Sequence, residues 1–152
     1  MGDALRVRFE TQVKLAIYRA FAEDGRAPAA ESLAAALGAS LEDVLAALAK
    51  LRAERVLFLE ADARTIRMAP PFSGVPTQHR VRVGGIDYFA NCAWDALGIP
   101  AALHRAGIVL SRCEQSGEPL TLAVSENGPE PCSWVFHSLV RASRWWDDLV
   151  FT

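Results

Sequence analysis

The chain has 152 residues, of which 51% are hydrophobic and 22% are charged, with a formal net charge of −2. This composition is typical of one globular unit, or of two small units that share a core. The near-neutral charge provides no long-range attraction to nucleic acid or anionic lipid. No apolar run approaches the roughly 20 residues of a membrane-spanning helix. Three widely spaced cysteines do not form a disulfide framework, so reduced thiols and a cytoplasmic location are expected.

Three helices are predicted in the first part of the chain. Apolar residues recur every four positions, which predicts an amphipathic helix over residues 5–22. The residues of this stripe are Phe9, Val13, Ile17 and Phe21. A second, short helix in "AAESLAAALG" is expected to end at Gly38. Ser40 and Asp43 resemble a capping box at the start of a third helix. Its apolar side would carry Leu41, Val44, Leu45, Leu48 and Leu51.

A β-hairpin is predicted after the third helix. The segments "RVLFLE" and "TIRMAP" have strand composition, and "ADAR" between them is a turn. Three helices followed by a hairpin are typical of the winged helix-turn-helix, which we assign to residues 1–70.

Specific DNA binding by this region is not expected. A recognition helix contacts bases mainly through its N-terminal residues, and here those include Glu42 and Asp43. Residues 1–70 also carry ten Lys and Arg against ten Asp and Glu, so no basic surface is predicted. A structural or dimerising module is the better interpretation.

Residues 71–152 are predicted to form a second domain, which begins with the connector "PPFSGVPTQH". The segment "HRVRV" alternates like a strand and is turned by Gly84 and Gly85. "IDYFANCAWDALGIP" is predicted to be a short helix that Gly98 and Pro100 end. Strands are predicted in "AGIVLSRC", "PLTLAVS" and "SWVFHSL", and "WWDDLVFT" resembles the start of another. The predicted fold class is therefore α+β: a winged-helix-like half, then a small mixed β-sheet with a short helix that carries the candidate site.

Cys92 and Asp95 are the leading candidates for chemistry. Residues three apart are neighbours on one helix face. A cysteine in the first turn meets unpaired N–H groups and the positive end of the helix dipole, which favour the thiolate. Burial of Asp95 beside Trp94, Phe89 and Tyr88 would favour its protonated carboxyl. A soft nucleophile beside a proton donor suits bond cleavage, although a lone C-x-x-D is more often structural.

The other candidates are less specific. Cys113 ends a predicted strand, and Cys132 lies in a turn-rich segment, where a single cysteine is more often structural. The three histidines have no metal-ligand spacing, so a structural zinc site is not predicted. These histidines are His79, His104 and His137. No glycine-rich phosphate loop is present.

The motifs "PFS…PT.H.V", "YFANCAWDALGIPAAL" and "IVLSRCEQSGEPLTLAVS" occur in the order found in a known family. In this combination the chain resembles the alkylmercury lyases (organomercurial lyases), which cleave carbon–mercury bonds by protonolysis. The resemblance implies that Cys92 is the first mercury-binding, catalytic cysteine and Asp95 the proton-transferring aspartate, itself a possible mercury ligand. Cys113 matches a further cysteine that matters more for structure, and is at most a weak mercury ligand.

The resemblance also implies the reaction and its partners. Hg(II) is soft and prefers thiolate ligands, so Cys92 would capture an organomercurial or another thiol-reactive ligand. A second thiolate would polarise the carbon, Asp95 would protonate it, and external thiols would remove the mercury. No cofactor is implied, since mercury belongs to substrate and product, and neither a specific nucleic acid nor a membrane is an expected partner.

One departure concerns the second catalytic cysteine, which the family carries on a later strand. In this sequence that place falls at Thr152 or the position after it. We therefore expect a shortened version of a longer protein, with marginal stability and little turnover. Two alternatives remain: a winged-helix transcriptional regulator or sensor of a thiol-reactive metal, and a divergent family member that applies Cys92 and Asp95 to another substrate.

Overall fold

The structure, a computed structural model, describes residues 3–138 and 140–147. Three helices come first: α1 (Asp3–Asp24), α2 (Ala30–Leu37) and α3 (Leu41–Ala53). The predicted apolar stripe is the buried side of α1, where Val13, Ile17 and Phe21 are at most 1% exposed. The three predicted helices are therefore confirmed, and the first extends slightly beyond its predicted ends.

Local signals set the helix ends, as predicted. Gly38 follows α2 in the left-handed conformation (φ 61°), which a residue without a Cβ adopts at little cost. Ser40 caps α3: its hydroxyl oxygen accepts a hydrogen bond from the Asp43 amide at 3.1 Å. The same hydroxyl donates to the Asp43 carboxylate at 2.6 Å. The cap therefore satisfies an amide that the first helical turn leaves unpaired.

A three-stranded antiparallel sheet follows the helices. It consists of β1 (Phe58–Leu59), β2 (Ile66–Ala69) and β3 (Phe72–Ser73), in that order. The predicted hairpin is confirmed, and its turn is held by the Asp62 carboxylate, which accepts from the Thr65 amide at 2.9 Å. The third strand comes from the segment that we interpreted as a connector. The winged helix-turn-helix assignment stays a prediction.

The second sheet has five strands and one helix. Its elements are β4 (Arg80–Val83), β5 (Ile86–Phe89), α4 (Ala93–Leu103), β6 (Gly107–Arg112), β7 (Pro119–Ser125) and β8 (Gly128–Pro129). The strand order is β5-β4-β6-β7-β8, and every neighbouring pair is antiparallel. The α+β class is confirmed, but the predicted mixed sheet is wrong. After α4 the chain returns to the free edge of β4, and β6 runs antiparallel to β4 there.

The helix predicted around Cys92 is wrong at both ends. Residues 86–89 form strand β5, because the turn at Gly84 and Gly85 pairs them with β4. The helix also continues through Gly98 and Pro100 and ends at His104, which is left-handed (φ 50°). A Cβ on Gly98 would lie 3.2 Å from the Pro71 Cβ, so the glycine permits close packing inside the helix instead of ending it.

The strand predicted in "SWVFHSL" is wrong for its described residues, 133–138, which are in no strand. Strand β8 already occupies the free edge of β7, and Val135 is 84% exposed. The strand predicted to begin at Trp145 is wrong at its start, because a 3-10 helix at Ala142–Arg144 leads into a turn through residue 147. The remainder of that prediction, at residues 148–152, lies outside the described residues.

One hydrophobic cluster includes residues from both parts of the chain. Phe72 is its link: the ring stacks on Phe21 at 5.2 Å, and its backbone forms a β-bridge with Ala90 beyond the end of β5. Helix α4 packs on the apolar face of the larger sheet, against β4, β6 and β7. The domain boundary between residues 70 and 71 stays a prediction.

Among the described helices, none alone has the length and apolarity needed to cross a membrane. The pair α2 and α3, bent by 114°, meets the length and composition test together. Val44 and Leu48 of this pair are fully buried in the core.

Candidate functional site

Cys92 is the N-cap residue of α4. Its backbone is extended (φ −145°, ψ 176°), and its sulfur accepts a hydrogen bond from the Asp95 amide at 3.4 Å. Its carbonyl accepts from the Ala96 amide at 3.0 Å, which begins the helical hydrogen bonding. The thiol therefore occupies the place that Ser or Asp usually takes at a helix start. The structure brings Cys92 and Asp95 together at this helix end.

Burial shifts the pKa of both groups upward. Desolvation raises the pKa of Asp95 to about 6, while a hydrogen bond from the Cys92 thiol lowers it in part. Burial, followed by the negative charge of Asp95, raises the pKa of Cys92 to about 11, against the lowering effect of the Asp95 and Trp94 amides. The predicted protonation tendency of Asp95 is confirmed in direction. The amides at the helix start do favour the Cys92 thiolate, as predicted, but burial and the adjacent carboxylate outweigh them, so the net shift of the pKa is upward.

The aromatic residues expected around Asp95 have different surroundings. Trp94 is 54% exposed and packs on Phe136, with ring centroids 5.7 Å apart. Tyr88 is buried in the core, where its hydroxyl donates to the Ala22 carbonyl at 2.8 Å.

The other two cysteines follow strands of the larger sheet and are not part of the α4 helix start. Cys113 begins the turn between β6 and β7, where the Gly117 amide donates to its carbonyl at 2.8 Å. Hydrogen bonds from the Ser116 hydroxyl, the Ser116 amide and the Gln115 amide lower the pKa of its thiol. Cys132 is exposed in the segment after β8. Cys113 is therefore better prepared than Cys92 to ionise in the resting protein.

No ready-made metal site accompanies the pair: within residues 3–138 and 140–147, no three His, Cys, Asp or Glu side chains are grouped to hold an ion. A surface cavity of about 610 Å³ lies at the opposite end of the larger sheet, beside Gly107 and Gly128. Its lining includes neither Cys92 nor Asp95. The chemistry available is thus a half-buried thiol and a half-buried carboxyl, joined by a hydrogen bond from the Asp95 amide to the sulfur.

Comparison with known proteins shows the family of this chain. Residues 72–152, more than half of the chain, match the family described as alkylmercury lyase, MerB. The chain belongs to the alkylmercury lyase family. The resemblance inferred from the three motifs is thereby confirmed.

Two curated alkylmercury lyases, from Bacillus cereus and Clostridium butyricum, are each 29% identical to this chain over 100 residues. The match covers 66% of this chain but only 44% of each relative, so the chain spans less than half of their length. A solved structure, the mercury-bound form of MerB2, matches with a TM-score of 0.61 and 28% identity. That match covers 79% of this chain and 59% of the other.

The region that matches the alkylmercury lyase family contains a buried polar pair that sequence reasoning missed. His79 is 8% exposed, and its Nδ1 lies 2.7 Å from the hydroxyl oxygen of Ser111, which is 9% exposed. Desolvation lowers the pKa of His79, while Glu114, 3.7 Å from its Nε2, raises it in part. In the sequence, the three histidines have no metal-ligand spacing, which gives no reason to pair His79 with Ser111. The available signal was the motif "PT.H.V", in which His79 directly precedes an alternating strand.

Proposed function

We propose that this member of the alkylmercury lyase family cleaves carbon–mercury bonds by protonolysis. Cys92 captures the organomercurial, and Asp95 delivers the proton to the departing carbon. The observation that carries the proposal is the hydrogen-bonded pair at the start of α4, in which the Asp95 amide reaches the Cys92 sulfur at 3.4 Å. The reacting thiol and the proton source are thus held in one small, desolvated volume.

The shifted pKa values supply a proton balance for this reaction. Near neutral pH the Cys92 thiol holds its proton, since its pKa is raised to about 11, while Asp95, with a pKa of about 6, is mostly ionised. When the sulfur bonds to R–Hg⁺, the thiol proton moves to the Asp95 carboxylate through the hydrogen bond between them. Cleavage then transfers this proton to the carbon, which gives R–H and returns Asp95 to its ionised form. One proton is thus taken up and released in each cycle.

A second thiolate is the remaining requirement. It adds electron density to mercury, and this density passes to the carbon as the carbon–mercury bond breaks. The product is Hg(II) bound by two thiolates, which external thiols then remove by ligand exchange. No resident cofactor is needed, because mercury enters with the substrate and leaves with the product. A cytoplasmic location, where thiols stay reduced, suits this chemistry.

The helical half is proposed to act as a winged-helix-like structural module. Two cations near the end of α3 are engaged: Lys50 pairs with Glu10 at 2.6 Å, and Arg52 lies over the Phe58 ring. The third helix also begins with two carboxylates. These features support a packing role and give no support to specific recognition of DNA.

The proposal is tested with methylmercury and two variants, with methane release and bound mercury measured separately. Asp95→Asn should retain mercury binding and lower the cleavage rate by roughly 10²–10⁴-fold, as expected for loss of a general acid. Cys92→Ser should lose both, since a hydroxyl is a poor ligand for a soft ion. The matched control is Cys132→Ser, at an exposed thiol. Equal loss of mercury binding in the first two variants would make Asp95 a ligand or a structural residue.

A further inference from the structure

We infer that Thr77 is a positioning residue that fixes the strand end leading to Cys92, with His79 as its link to β6. The inference rests on the proposed function for the importance of Cys92. Both residues belong to the motif "PT.H.V", for which the reaction itself gives no role. They occupy the chain immediately before β4, beside the strand end from which Cys92 emerges.

Ala90 is the anchored residue. It is fully buried, and its amide donates to the His79 carbonyl at 2.9 Å. Its carbonyl accepts a hydrogen bond from the Thr77 hydroxyl at 2.5 Å. Both backbone polar groups of Ala90 are thus held by the segment before β4. Only Asn91 separates this anchor from Cys92, so a shift of Ala90 is transmitted almost directly to the helix cap.

Water could take the place of the Thr77 hydroxyl only if the surrounding chain moved. Its hydroxyl also accepts from the His79 amide at 3.2 Å, so one side chain joins the two segments. A buried carbonyl that loses its donor must find water or another partner. The strand end would then open toward solvent, and the half-buried Cys92 would open with it.

His79 extends the anchor to a third strand. Its imidazole is hydrogen-bonded to Ser111 on β6, at 2.7 Å, in a sheet face that is otherwise apolar. The strand end before Cys92 is therefore tied to β4 through backbone and hydroxyl contacts, and to β6 through the His79 side chain. The buried His79 therefore has a structural role in this arrangement, and the proposed reaction does not require it to transfer a proton.

The test measures how fast Cys92 is alkylated by iodoacetamide, relative to exposed Cys132 in the same molecule, by peptide mass spectrometry. Thr77→Val keeps the side-chain shape and removes the hydroxyl. It should raise the Cys92 to Cys132 labelling ratio about fivefold, since thiol reactivity follows access and thiolate fraction. Thr77→Ser keeps the hydroxyl, so its labelling ratio should equal that of the native chain.

Thr65→Val is the matched control, because its hydroxyl bonds the Asp62 carboxylate in a distant turn at 2.5 Å. It should leave the ratio unchanged. Ser111→Ala removes the hydrogen bond between His79 and β6, and it should raise the labelling ratio less than Thr77→Val does. If Thr77→Val does not fold, Ser111→Ala is the variant that tests the inference. An unchanged ratio in both Thr77→Val and Ser111→Ala, or an equal rise in Thr65→Val, would overturn the inference. The assay contains no mercury, so its outcome is independent of whether the chain cleaves organomercurials.

Discussion

The Asp95 amide donates to the Cys92 sulfur at 3.4 Å, and the thiol and the Asp95 carboxyl are close enough for each to shift the pKa of the other. The two residues are therefore linked by both backbone and side chain at the first turn of one helix. The amide favours a negative sulfur, whereas the carboxylate opposes it. This opposition determines how the pair responds to pH and to substitution.

Asp95→Asn should lower the pKa of Cys92. The negative charge of Asp95 is the second cause, after burial, of the rise of that pKa to about 11. An amide removes the charge while the backbone amide of residue 95 stays in place. The pH dependence of Cys92 alkylation measures the change. Asp87→Asn, at an exposed ion pair with Arg82, is the control and should leave the profile unchanged. An unshifted midpoint in Asp95→Asn would contradict the electrostatic account.

Asp95 should make the protein less stable as pH rises. Its folded pKa, raised from 3.8 to about 6, lies above the unfolded value, so the folded state holds the proton more tightly. Stability is therefore lost as pH rises from about 4 to 6, by at most about 3 kcal/mol for a shift of about two units. Asp95→Asn should gain stability over the native chain at pH 8 and little at pH 4. Urea denaturation at both pH values measures this; an equal effect at both would argue against a buried, ionisable carboxyl.

Cys113 should be alkylated before Cys92 at pH 7. The helix start favours the Cys92 thiolate, but the pKa of Cys92 is raised to about 11, whereas hydrogen bonds in the β6–β7 turn lower that of Cys113. Substoichiometric iodoacetamide followed by peptide mass spectrometry gives the order. Ser116→Ala removes one of the hydrogen bonds and should slow labelling of Cys113 alone. Preferential labelling of Cys92 would show that its thiolate is more accessible than its burial indicates.

Phe72→Ala should destabilise the whole chain. Its ring stacks on Phe21 at 5.2 Å and contacts Tyr88, and its backbone bridges the two sheets. Loss of a buried phenylalanine ring costs about 3–5 kcal/mol. Phe136→Ala, at a ring that is 45% exposed, is the matched control and should cost much less. Denaturant titration distinguishes them, and similar losses would mean that the two sheets do not depend on this ring.

Specific binding to duplex DNA should be absent. Arg67 pairs with Glu60 at 2.9 Å and Lys50 with Glu10 at 2.6 Å. Residues 1–70 also carry as many Asp and Glu as Lys and Arg, so little net positive charge is available to displace counterions. A gel-shift titration from low salt should find weak binding with a shallow salt dependence. Nanomolar binding to a selected sequence, with a steep salt slope, would favour the regulator alternative.

The sequence by itself determined the elements whose signals are local. The four-residue period of α1 and the Ser40 cap of α3 act within a few residues of chain, and both are present as predicted. The same holds for the hairpin of β1 and β2. The proximity of Cys92 and Asp95 is local as well, because Cys92 is the N-cap of α4 and Asp95 is the residue three positions on whose amide a cap side chain meets.

Only the tertiary structure decided what depends on distant partners. Ala90, just after β5, pairs with Phe72 of the smaller sheet, and Gly98 inside α4 packs against Pro71. The helix start alone favoured a Cys92 thiolate, but burial raised its pKa to about 11. His79 looked isolated in the sequence, yet Ser111, 32 positions away, lies 2.7 Å from its ring. Strand pairing and desolvation arise from residues far apart in the chain, and for that reason no local pattern in the sequence contained them.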